Sequence, residues 1–94
     1  MKVEQLINDL GNSANNQVVV TNNGVRTFFS YGTPICQKNL KINVLTIGKS
    51  YRYSKVTMKH LCIYLRDYEG KNVRSINDVD RLIERGEVKY TKRW

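Results

Sequence analysis

The sequence predicts an α+β domain, and three observations predict it. An Asn-Gly pair at Asn23 and Gly24 sits between two β-rich runs, QVVVTNN and VRTFFSY, which is a hairpin signature. Met58, Leu61, Cys62 and Leu65 form an apolar stripe at helical spacing behind Ser54, and Ile76, Val79, Leu82 and Ile83 form a second behind Ser75. A chain of 94 residues has surface enough for one core only, so these elements share a single small domain over residues 1–94.

Taken in order, residues 2–10 place Val3, Leu6, Ile7 and Leu10 at i, i+3, i+4 and i+7, with Gly11 just beyond, and predict a short N-terminal helix. Residues NSANN make a polar linker. The hairpin follows, and Gly32, Thr33 and Pro34 interrupt its second strand. The run ICQKNLKINVLTI then offers another pair of strands around Lys38 and Asn39, giving an antiparallel sheet of three to five strands over about residues 17–53. Apolar residues on both faces of that sheet call for cover on both, or for a partner on one.

Ser54 is a suitable N-cap for a helix over about residues 55–67. Glu69-Gly70-Lys71-Asn72 ends it, and Ser75 with Asp78 resembles a capping box opening a helix over about residues 76–85. Both helices are expected to pack on one sheet face. Residues 88–94, with Tyr90 and Trp94, read as an edge strand or as a mobile basic tail.

Net charge is +8, and its location is informative. No acid lies between residues 10 and 66, a window that holds Arg26, Lys38, Lys41, Lys49, Arg52, Lys55, Lys59 and Arg66. The excess therefore sits in the middle of the chain, as expected for a face that meets something anionic. At 100° per residue, Lys55, Lys59 and Arg66 fall within about 40° of one another beside the buried stripe of their helix. Tyr51 and Tyr53 interleave with Lys49, Arg52 and Lys55, joining rings that can stack on bases to cations that can neutralise phosphates. As a strand, residues 49–53 would instead turn both tyrosines toward the core with their hydroxyls at the rim.

Catalysis lacks its usual parts. The middle of the chain has no carboxylate for acid–base work, and His60 and Cys62, two apart on a helix, point in different directions. The GKS at residues 48–50 has Asn43 where a phosphate-binding loop needs its first glycine. Cys36 and Cys62 have neither disulfide nor zinc spacing, so no metal and no cofactor are expected. No apolar run reaches the ~18 residues of a membrane helix, and the N-terminus is not built like a secretory signal, so a cytoplasmic protein without a membrane partner is expected.

Residues 28–37, FFSYGTPICQ, and 51–65, YRYSKVTMKHLCIYL, together resemble a family of small proteins encoded by bacteriophages and related mobile elements. Ser30, Tyr31, Thr33, Ile35, Tyr53, Ser54, Thr57, Lys59 and His60 match its pattern, whereas Val56 replaces a threonine and Pro34 precedes the hydrophobic position. The resemblance implies a phage accessory protein acting in a bacterial host, and a strand-to-helix junction at Ser54, Thr57, Lys59 and His60 able to receive an anion. The leading expectation is a binder of nucleic acid or another polyanion through Lys49, Tyr51, Arg52, Tyr53, Ser54, Lys55, Thr57, Lys59 and Arg66. A second is an inhibitor of a host defence factor, such as a nuclease or CRISPR effector, with Ile63, Tyr90 and Trp94 at a protein or homodimer contact. A third is capture of a small anionic nucleotide at the Ser54 helix start.

Overall fold

The computed structural model describes all of residues 1–94. Six strands form one mixed sheet in which spatial order follows chain order: β1 (Lys2–Ile7), β2 (Ser13–Asn22), β3 (Val25–Ser30), β4 (Thr33–Asn39), β5 (Val44–Gly48) and β6 (Lys89–Thr91). The first five form an antiparallel meander, and β6 returns parallel to β5. Two helices, α1 (Lys55–Glu69) and α2 (Ile76–Glu84), fill the connection between β5 and β6.

This architecture corrects three expectations. Residues 2–10 form no helix, NSANN is no linker because Ser13 already opens β2, and the sheet is a mixed one of six strands rather than an antiparallel one of three to five. Of the four residues in the supposed helical stripe only Leu6 is buried, while Val3, Ile7 and Leu10 are 59%, 49% and 86% exposed. A helix this short is marginal alone. The free edge of β2 offers the same residues a ladder from Lys2↔Thr21 to Gln5↔Val18, and that pairing wins.

Turn chemistry sets the meander. Asn23 and Gly24 lie at φ 52° and 78°, both left-handed, as a two-residue type I′ loop requires. Tyr31 and Gly32 repeat this at 51° and 77°, so the interruption expected at Gly32 is a second tight turn, between Ser30 and Thr33. Pro34, which has no N–H to give, stands beside a register shift between β3 and β4, where a bulge tolerates it. In the β4–β5 turn the Asn39 side chain accepts from the backbone N–H groups of Lys41 and Ile42. The sheet stops at Gly48, and Lys49–Arg52 form one 3-10 turn rather than the end of a strand.

Ser54 caps α1, its Oγ accepting from Thr57 N–H at 3.1 Å, and Gly70 closes the helix in the left-handed conformation. At α2 the Asp78 carboxylate accepts from the N–H groups of Arg74 and Ser75, as the Ser75–Asp78 pattern requires. Both helices cover one sheet face. Phe28 of β3 stacks on Tyr64 of α1 at 5.5 Å, Tyr64 stacks on Tyr68 at 5.2 Å, and the core around them includes Leu6, Val19, Cys36, Ile47, Leu61, Leu65, Val79 and Leu82. Every residue from His60 to Leu65 is buried, so α1 is enclosed well beyond its expected stripe. Ile63, expected at an exposed contact, is 2% exposed and belongs to the interior.

The tail is ordered. Tyr90 pairs with Ile47, and Trp94 folds back so that its carbonyl accepts from Lys49 N–H at 3.0 Å while its ring lies over Gly48. A Cβ on Gly48 would stand 2.5 Å from that ring, so the close approach needs glycine for space. No helix is long and apolar enough to cross a membrane.

Candidate basic groove between the helices

The acid-free window does not act as one surface, because folding distributes its cations differently. Arg26 and Lys38 lie on the helix side of the sheet and both reach Glu69 Oε1, at 3.1 and 3.3 Å. The Glu69 side chain is 1% exposed, and its other oxygen accepts from the Tyr64 hydroxyl. Arg26 also donates to the Tyr68 carbonyl and lies over the Tyr68 ring. Burial pushes the Tyr64 phenol well above its usual range, which keeps it a donor to the carboxylate. These two cations hold the C-terminal end of α1 on the sheet and are withdrawn from any partner.

Arg52 pairs with Asp80 of α2, and Tyr51 donates to the other oxygen of the same carboxylate at 2.7 Å. Burial alone would raise the Asp80 carboxyl, but the two hydrogen bonds from Tyr51 and Arg52 outweigh it and hold the group below the ordinary aspartate range. Tyr51 is half-buried, with its ring edge-on to Tyr90 at 6.1 Å and the Arg52 guanidinium over it. It is thereby occupied rather than free to stack. Tyr53 is 71% exposed, and Lys49 is exposed beside the 3-10 turn.

Thr57 is fully buried, hydrogen-bonded to Ser30 at 2.8 Å and to Ser54 at 3.1 Å. Ser54 and Thr57 therefore tie α1 to β3 and cap it, and the Thr57 hydroxyl expected to receive an anion is buried with Ser30 and Ser54 as its partners. His60 is also buried, its Nδ1 2.8 Å from the Val56 carbonyl one turn back.

What the helices do bring together is a groove of about 260 Å³. Lys55, Lys59 and Arg66 of α1 line one side, Arg74, Ser75 and Ile76 at the start of α2 the other, with Met58 and Cys62 on the α1 side and Asp9 of the β1–β2 loop at the rim. The helical spacing of Lys55, Lys59 and Arg66 aims all three into this one place. Arg66 is held in position by Asp9 at 3.5 Å and by donation to the Val73 carbonyl at 3.1 Å. Lys55, Lys59 and Arg74 take part in no ion pair. Burial pushes the Cys62 thiol up, with Arg66 opposing, so the sulfur serves as apolar wall.

Arg74 is the groove residue that sequence reasoning missed. It lies in the irregular segment between the helices, where no periodicity assigns a direction, and its only signal is its place directly before the Ser75 cap.

Sheet, helical layer and groove define a small α+β domain with a cationic cleft on its helical side. The chain belongs to DUF8033, a family of unknown function whose model matches residues 1–81. That match takes in the meander, α1 and the whole groove lining. No curated protein and no solved structure matches the chain.

Proposed function

We propose that the protein is a non-catalytic binder of nucleic acid or a related polyanion, and that the groove of Lys55, Lys59, Arg66 and Arg74 is its phosphate-contacting surface. The observation that carries this reading is the convergence of four cations, three of them without a carboxylate partner, on one cleft with an apolar wall of Met58, Cys62 and Ile76. Leaving such cations unpaired costs little in water and favours an anion when one arrives, because each phosphate contact releases a condensed counterion. Exposed Tyr53, just before Lys55 in the chain, supplies a ring on which a base can stack.

The resemblance of residues 28–65 to proteins of bacteriophages and mobile elements supports an accessory role in the cytoplasm of a bacterial host. The deciding experiment is fluorescence anisotropy of labelled single- and double-stranded DNA and RNA between about 50 and 200 mM salt. Affinity should fall linearly on a log–log plot with a slope of about −3 to −4, as four phosphate contacts require. Lys55→Glu combined with Lys59→Glu should abolish binding and leave the circular dichroism spectrum unchanged. Affinity that survives this double reversal rules the groove out. Absence of binding at low salt turns the search to an acidic protein surface.

A further inference from the structure

The sheet has a second face, and its composition is unlike the rest of the molecule. Cross-strand partners share a face, so the registers trace a row from Val3 to Val20, Thr27, Gln37, Thr46 and Lys89 across all six strands. A second row runs from Gln5 to Val18, Phe29 and Pro34. Both lie opposite the helices, because Phe28, Arg26 and Ser30 are the β3 residues that meet α1. Every charged residue in β1 to β5, namely Lys2, Glu4, Arg26 and Lys38, falls on the helix side. The uncovered face of those five strands therefore carries no charge at all, in a chain with 26% charged residues and a net charge of +8. Lys89, on the β6 edge, is its single ion.

We propose that this face is the interface of a homodimer in which two copies pack sheet to sheet. Charge decides the occupant. A polyanion finds only Lys89 at the β6 edge, and an acidic or basic protein finds no field of counter-charge across β1 to β5. Two copies that repel one another through their net charge can approach on this surface without setting cation against cation. Val18, Val20 and Phe29 of β2 and β3, with Val3 on the β1 edge, supply an apolar half, and Gln37 and Thr46 of β4 and β5 a neutral polar half; between them Gln37 donates to the buried Thr27 hydroxyl at 3.2 Å. The extent is also adequate. Six strands spaced about 4.8 Å apart and roughly 20 Å long outline some 500 Å² before side-chain relief is counted, which approaches the ~800 Å² per partner of a standard interface. Two such faces pack about 10 Å apart with their strands within roughly 30° of parallel, as in a β-sandwich.

In this dimer the two helical layers point outward in opposite directions. If the groove reading holds, one dimer carries two cationic clefts on opposite sides and engages a polyanion bivalently. The dimer itself does not depend on that reading.

Sedimentation velocity of the full chain from about 1 to 100 μM tests the proposal over the range of weak to standard interfaces. The expected result is a species of twice the 11.0 kDa chain mass. Val20→Glu, within the apolar half of the face, should weaken association by about 100-fold or more, because it buries an unpaired carboxylate in the contact. Val3→Glu is the companion variant: Val3 is 59% exposed, so its carboxylate is solvated in the monomer and folding is not at issue. Lys55→Glu with Lys59→Glu should leave the dimer intact, separating failure of the groove from failure of the interface. A single 11.0 kDa species at the highest concentration overturns the proposal, as does a dimer that both glutamate variants leave unchanged. A monomer that uses this face to bind a different protein also overturns it.

Discussion

Glu69 is the residue on which most side-chain chemistry converges. Its buried carboxylate serves Arg26, Lys38 and Tyr64 at once, and it is the last residue of α1. Removing its charge leaves a guanidinium and an ammonium, 21% and 14% exposed, without a counter-ion. Breaking a fully buried pair costs about 3–5 kcal/mol. Partial access of water to these two cations lowers the expectation for Glu69→Gln to about 2–4 kcal/mol, read as a shift in the urea unfolding midpoint. A loss under about 0.5 kcal/mol would mean that both cations resolvate freely. None of this could be read from the chain, because Arg26 and Glu69 are 43 residues apart and Glu69 reads locally as a helix end. Lys55, Lys59 and Arg66 were legible, since one helix fixes their mutual direction whatever packs around it.

Among the elements, the 3-10 turn at Lys49–Arg52 owes its place to α2, through the shared Asp80 carboxylate. Asp78 makes the matching tie at the start of α2, where the Arg74 and Ser75 N–H groups and the nearby Arg81 hold its carboxyl low. Both carboxyls titrate below the ordinary aspartate value of 3.8 when folded, so the unfolded chain takes up protons first as pH falls. Their contribution is whole above that value and is lost as pH drops through the lower folded values. Unfolding midpoints measured from about pH 5 down to pH 2.5 should therefore fall, and Asp80→Asn should start lower at pH 5 and lose less. An unchanged slope in that variant would mean that other carboxylates carry the acid response. Elements announced by short-range chemistry were legible: the Asn23-Gly24 hairpin, the Ser54 cap and the Ser75–Asp78 pattern. The first strand was not, since its apolar spacing suits a helix as well as a strand and only the open edge of β2 decides between them.

For the molecule as a whole, a sheet whose order follows the chain has two edges of different strength. β1 pairs on one side only and β6 is three residues long, whereas β3 and β4 are flanked on both sides and α1 is enclosed. Amide hydrogen exchange should be slowest in β3, β4 and α1 and fastest in β1 and β6. Protection of β1 equal to that of β3 would reveal a partner on the outer edge. The basic face was legible as a charge imbalance but not as a place, because packing assigns Arg26 and Lys38 to the interior and Arg52 to α2 before any ligand is met. The contact of Trp94 with Gly48 has a practical consequence. As the single tryptophan, three residues beyond the last strand, Trp94 is an intrinsic optical probe whose emission reports detachment of that edge, while the helical far-ultraviolet signal reports loss of the rest. Two transitions that fail to coincide would show that the edge opens as a separate unit.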